Sequence, residues 1–85
     1  MDEEERTELI VIFHNTHEAI MGERSLLDAG IDTRVMPTPA ALGPACGIAL
    51  RVSSADMEKA GVLLGEAIDG IYCRNGEGVF TLWNP

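Results

Sequence analysis

The sequence predicts an α+β domain of βαββαβ order, and three observations carry that expectation. Four apolar runs have strand character, and the two stretches that follow the first and third of them place apolar residues at helical spacing. Glycines, prolines and small polar residues punctuate the chain between those runs. The 85 residues, 46% of them apolar, suffice for one domain with one core.

Residues 8–13, ELIVIF, form a continuous β-rich run that suits a strand at a sheet centre. HNTHEAIMGERSLLDAG follows. Asn15 or Thr16 can cap a helix here, and Glu18 stands three residues after Asn15, as a capping box requires. Gly30 is placed to end it. On a helical wheel Ala19, Ile20, Leu26 and Leu27 share a face, and Glu23 falls in its middle. Glu23 either snorkels to the edge or pairs with a cation such as Arg51, or it is a half-buried carboxylate that supports a site.

Residues 31–36, IDTRVM, read as a short, more polar strand, hence an edge strand. The uncharged loop PTPAALGPACG occupies 37–47 and contains Pro37, Pro39 and Pro44. In GIALRV, 47–52, Ile48, Leu50 and Val52 alternate with Ala49 and Arg51, the pattern of a strand with one core face. A second helix starts at Ser53 or Ser54, with Ser53 and Asp56 fitting a capping box. Met57, Ala60, Gly61, Leu64, Ala67 and Ile68 give it an apolar stripe, and Asp69-Gly70 is read as its stop. IYCRN is a strand and NGEG a turn. VFTLW either extends that strand or pairs back on it as an extra C-terminal hairpin strand.

This order is the ferredoxin-like pattern: an antiparallel sheet in the order 4-1-3-2 with two helices on one face. The expected domain covers 8–85, and 1–7 forms an acidic, flexible N-terminal segment. The helix-free face of such a sheet must be polar or covered, and Val11, Phe13 and Ala49 are the residues expected on it.

The net charge is −8, and half of it comes from MDEEERTE. No basic stripe exists to neutralise phosphates, so nucleic acid is not an expected partner. The acidic balance also disfavours an anionic membrane surface. No apolar run approaches the ~20 residues that span a bilayer, and the acidic start is unlike a secretory signal, so the expected compartment is the cytoplasm. Two cysteines do not make a disulfide scaffold there.

The topology gives the cysteines unequal surroundings. Cys46 opens the third strand at the sheet edge where the first strand ends and the first helix begins. His14, Asn15, Thr16 and His17 belong to that same edge. Helix N-termini and nearby imidazolium lower a thiol pKa from about 8.5 toward about 3.5–7.5, and only the thiolate is a nucleophile or metal ligand. Gly47 leaves space beside Cys46, and the three prolines limit the loop's freedom without blocking access. The opposing reading is that Cys46 is an inert buried thiol, the usual fate of a free cysteine. Cys73 lies inside a strand in register with Ile71, where a small apolar residue is expected. The two cysteines stand roughly two strand spacings apart, about 9–10 Å, beyond the ~7 Å limit for a disulfide. His14 and His17 are a strand-end and a helix-surface residue, or else, with Cys46, they bind a soft metal. There is no CxxC and no HExxH, so no metal or other cofactor is assigned.

FHNTHEAIMGERSLLDAGI followed by RVMPTPAALGPACGIALRV resembles the selenium/sulfur carrier protein-like family of small bacterial domains. The likeness extends over residues 9–75. Phe13, Thr16, His17, Ala19 and Glu23 match its first block, Phe-x-Ser/Thr-Thr-His-x-Ala-x-x-x-Glu. Pro37, Pro39, Cys46 and Gly47 match its second, a Pro-x-Pro loop ending in Cys-Gly. Ala40 stands where the family often has a basic residue, and Leu42-Gly43-Pro44 where it usually has a serine.

The resemblance implies a carrier in which Cys46 holds terminal sulfur or selenium as a persulfide or selenosulfide. Thr16 and the first-turn N–H groups would hold the terminal anion, His17 would assist by charge or hydrogen bond, and Glu23 would support the architecture. The implied partners are a donor and an acceptor protein. Two readings of other classes stand beside it: a non-catalytic binding or regulatory module that forms a homodimer through its sheet, and a soft-metal domain using Cys46 with His14 or His17. A self-contained enzyme is not expected, since no nucleotide loop or paired-carboxylate signature is present.

Overall fold

A computed structural model describes residues 8–42, 47–74 and 80–83. Five strands form one antiparallel sheet: β1 (Glu8–Phe13), β2 (Thr33–Pro37), β3 (Ile48–Ser53), β4 (Ile68–Arg74) and β5 (Phe80–Leu82). Their order is β2-β3-β1-β4-β5. The first four strands stand in the expected succession, 4-1-3-2 read from β4, and β5 adds beside β4. Two helices, α1 (Thr16–Asp28) and α2 (Met57–Leu64), complete the fold. Among the described residues no helix is long and apolar enough to cross a membrane.

β1 is the centre because its side chains are apolar toward both faces. Leu9, Val11 and Phe13 are fully buried with Leu50 and Val52 of β3, Ala19 and Leu26 of α1, and Met57, Ala60 and Leu64 of α2. Both helices therefore cover one face. Ile10, Ile12 and Ala49 point the other way and form a second, smaller buried cluster, against which Met36, Leu42, Tyr72 and Phe80 pack. This corrects the expected composition of the helix-free face. Val11 pairs with Leu50, not with Ala49, so alternation sends Val11 and Phe13 to the helices. Ala49 is on the helix-free face as expected but is buried, so it offers nothing to a second copy.

α1 begins where Asn15, at an extended φ of −156°, accepts the Glu18 amide on its side chain at 2.8 Å. It ends in a Schellman arrangement: the amides of Gly30 and Ile31 donate to the carbonyls of Leu27 and Leu26, with Gly30 at φ 81°. The face that α1 buries is Ala19, Gly22 and Leu26. Ile20 and Leu27 are about half exposed, contrary to the wheel reading, because Gly22 brings the helix close to the sheet and rotates them outward.

α2 is shorter than its apolar stripe suggests. A 3-10 turn, Ser54–Asp56, precedes it, and the Ser53 hydroxyl accepts from Ala55 rather than from Asp56. Gly65, at φ 56°, ends it, and a further 3-10 turn leads into β4 at Ile68. Ile68, Asp69 and Gly70 are thus strand residues, not the helix end. β5 pairs back on β4, with Tyr72 opposite Leu82 and Cys73 opposite Thr81. The expected turn at 75–78, the N-terminal segment 1–7, and Pro44 and Cys46 lie outside the described residues.

Candidate functional site

Antiparallel pairing brings the end of β1, the start of α1, the end of β2 and the starts of β3 and β4 to one edge. Ile12 stands opposite Ala49, so continuing the register puts His14 opposite Gly47, the residue that follows Cys46. Pro37 and Ile48 are the last paired residues of β2 and β3. One step further, the Thr38 amide donates to the Gly47 carbonyl at 3.2 Å and closes the base of the proline loop. Beyond it a 3-10 turn, Ala40–Leu42, forms as the Leu42 amide donates to Pro39, and Leu42 packs on the helix-free face. Gly47 is exposed, and a Cβ added there would meet nothing within 4 Å among the described residues.

His14, Asn15, Thr16, His17, Pro37 and Gly47 are therefore neighbours on this edge, and Pro39 continues the loop from it. Glu23 is not among them. It sits two turns down α1, partly buried, beside a shallow depression lined by Ile20, Arg24, Leu27 and Asp28. Arg51, its proposed partner, pairs instead with Glu8.

The two histidines face different surroundings. His17 lines a groove between α1 and α2 with Glu18, Met21, Leu63, Leu64 and Ala67. His14 Nδ1 lies 3.4 Å from Asp69 Oδ1, with each side chain about half exposed, an ion pair when the imidazole is protonated. The strand register explains how Asp69 gets there. Ile12 is opposite Gly70 but Phe13 is opposite Ile68, so Asp69 is the extra residue of a β-bulge. Sequence reasoning does not reach Asp69, having spent Asp69-Gly70 on a helix stop. A glycine within a strand is the signal that could have found it, since isolated strand glycines often mark bulges.

Cys73 lies opposite Leu9, at the other end of β1, packed against the helix-side core and partly buried. Ile48 stands four residues along β1 from that position, about 13 Å by strand rise. The distance expected between the two cysteines involves Cys46, which lies outside the described residues. Among the described residues no group of three His, Cys, Asp or Glu side chains is placed to hold a metal ion.

These features define a small antiparallel α+β protein in which helix start, strand ends and loop base converge on one sheet edge. The chain belongs to the family described as "Putative Se/S carrier protein-like", whose model matches residues 8–73. No curated protein and no solved structure matches the chain.

Proposed function

We propose that the protein is a carrier of sulfur or selenium, built on a ferredoxin-like domain, in which Cys46 holds the chalcogen atom as a persulfide or selenosulfide. Family membership over residues 8–73 is the observation that carries this reading. The edge around Gly47 agrees with it chemically. A terminal S⁻ or Se⁻ is stabilised by the amide-rich, positive end of a helix and by imidazole groups. Thr16 and the first-turn amides of α1 supply the former; His14 and His17 supply the latter. Pro37, Pro39 and Pro44 stiffen the loop that presents the sulfur, and Gly47 keeps its neighbourhood open. Glu23 acts through the architecture of α1.

Loading is a thiol exchange. The Cys46 thiolate attacks the outer sulfur of a donor protein's persulfide, the Sγ–S bond forms as the donor S–S bond breaks, and the electron pair leaves on the donor thiolate. Delivery repeats the exchange with an acceptor thiol. Such chemistry needs a reducing compartment, which is the cytoplasm. Incubation with a persulfide-bearing protein, followed by intact-mass and peptide analysis, should show one added sulfur on Cys46 and none on a Cys46→Ser variant. Absence of any adduct on the wild-type chain would falsify the reading.

A further inference from the structure

We propose that β2 is a docking edge for a second copy of this chain. Two copies pair their β2 strands antiparallel across a two-fold axis at Val35, and the sheet runs on from one copy into the other. This inference does not depend on the carrier reading.

The ladder shows what the edge offers. β2 ends the sheet and, among the described residues, has a strand on one side only. In an antiparallel ladder every second residue aims its N–H and C=O at the neighbouring strand, and the residues between aim theirs away. Thr38 donates to Gly47, so Met36 and Arg34 face β3, while Pro37, Val35 and Thr33 face outward. The residue that has no N–H thus falls on the open side, where an edge strand tolerates proline. The edge presents the N–H and C=O of Thr33 and Val35 and the C=O of Pro37.

Charge and hydrogen bonding select one self-pairing. An axis at Arg34 would set that residue opposite its own copy, and each Arg34 already faces an Arg51, so four cations would stand in a row. An axis at Met36 sets Val35 opposite Pro37, which accepts but cannot donate, and leaves only the two bonds from the Val35 amides. An axis at Val35 lets the two Val35 residues exchange both bonds, and each Thr33 N–H reaches the Pro37 carbonyl of the other copy. Arg34 then lies beside Met36 rather than beside another cation.

The side chains agree with that axis. Val35 stands opposite Leu50, on the helix side, and is 45% exposed. α1 packs on β2 and β3, and the residues it turns toward α2 are His17, Glu18, Met21 and Ser25. Ile20 and Leu27, about half exposed, are on its other flank and extend the apolar surface toward the seam. Two five-residue strands make a small interface, so association is expected at tens of micromolar chain, on the order of a transient contact. Antiparallel pairing leaves the two Thr38–Gly47 loop bases at opposite ends of the seam.

Sedimentation velocity of the full chain under reducing conditions, from about 10 μM to about 1 mM, should show monomer and dimer alone. Over the same range, exchange of the Thr33 and Val35 amides should slow about three- to tenfold, while Arg34 and Met36, already bonded to β3, stay as they were. Val35→Glu sets like charges opposite each other at the axis and should raise the dissociation constant at least about tenfold. Far-UV circular dichroism checks that this variant is folded. The register is read independently in a Cys46→Ser, Cys73→Ser background. There Val35→Cys should cross-link two chains on mild oxidation, since the paired Cα atoms stand about 5.5 Å apart, and Thr33→Cys should not. A chain still monomeric at about 1 mM would leave the edge to an extended segment of another protein, and overturns the proposal. So does growth beyond a dimer, the result of pairing with the β5 edge of the next copy. Unweakened association of folded Val35→Glu, or cross-linking at Thr33 in preference to Val35, overturns it as well.

Discussion

The amide of Thr38 donates to the carbonyl of Gly47, one residue beyond the last strand pair, Pro37 with Ile48. The loop that contains Cys46 is therefore closed at its base by backbone pairing. Its near arm is anchored separately, by Leu42 packing on the cluster of Ile10, Ile12 and Ala49. Leu42→Ala removes that anchor and leaves the base intact. Leu42 is partly buried, so the cost is expected at about 1–2 kcal/mol, below the range for a fully buried leucine. Urea unfolding reads that loss. Hydrogen exchange should rise at Ala41 and Leu42 while Thr38 stays protected. Equal acceleration at Thr38 would show that Leu42 holds the base as well.

Gly22 sets how closely α1 lies on the sheet. A Cβ there would stand 3.0 Å from the Phe13 ring and 3.0 Å from Leu64 Cδ2. Phe13 is fully buried at the end of the central strand and cannot move far. Gly22→Ala gains about 1 kcal/mol of helix propensity and loses a similar amount to crowding, so its net effect should be small. Gly22→Val adds two more methyl groups against the same ring and should cost roughly 2–3 kcal/mol. Urea midpoints of the two variants decide the matter. A well-tolerated valine would mean that α1 can lift from β1.

The same residues show how much of the fold the sequence discloses. β1, with apolar residues toward both faces, and the Asn15 cap with Glu18 three residues on are local patterns, and both are legible. The outward turn of Ile20 and Leu27 is not, because a helical wheel cannot tell that Gly22 is the residue making closest approach. The end of α2 fails for a related reason. Ala67 and Ile68 continue its apolar spacing, but Gly65 breaks the helix, and a stripe of apolar residues does not report a positive φ. At the edge, His14, Thr16, His17 and Gly47 follow from topology once strand order is known. Asp69 depends on a one-residue register slip between β1 and β4, which no single-strand pattern contains.

Gly30 and Gly65 both end helices at positive φ, yet they should respond differently to substitution. Gly30, at φ 81°, closes a Schellman turn of the kind that asparagine also fills. Gly30→Ala should cost about 1–2 kcal/mol and Gly30→Asn clearly less. Gly65 has φ 56° with ψ −128°, the first corner of a type II′ turn, which is dominated by glycine. Gly65→Ala should cost more than Gly30→Ala, about 2–3 kcal/mol, with little relief from asparagine. Thermal denaturation of the four variants orders them. Rescue by asparagine at Gly65 equal to that at Gly30 would contradict the assignment.

Arg34 and Arg51 stand directly opposite on β2 and β3, a like-charge cross-strand pair. Glu8 pairs with Arg51 and offsets that repulsion. Both partners are well exposed, which limits the ion pair to about 0.5–1 kcal/mol. Glu8→Gln should lose about that much at low salt, and the loss should shrink as salt screens the two arginines. In an Arg34→Gln background the same change should cost less, since the repulsion is gone. A salt-independent penalty would mean that Glu8 stabilises β1 by packing instead.

The axial offset between Cys73 and the start of β3, which follows Cys46 in sequence, bears on how the protein should oxidise. Cys73 lies opposite Leu9, whereas the residue after Cys46 extends the register past Ile12 opposite Ala49, toward the far end of β1. A disulfide needs Cα atoms within about 7 Å, and the strand rise alone separates these ends by about 13 Å. Cys73 is also packed against the core. Mild oxidation should therefore produce no internal bridge. It should join two chains through Cys46, and Cys46→Ser should abolish the joined species while Cys73→Ser leaves it. Non-reducing gels and intact mass distinguish the outcomes. A monomer lacking two hydrogens, with Cys46 linked to Cys73 in its peptides, would require β1 and β4 to separate, and would place the reactive sulfur at the wrong end of the sheet for the helix α1 start to act on it.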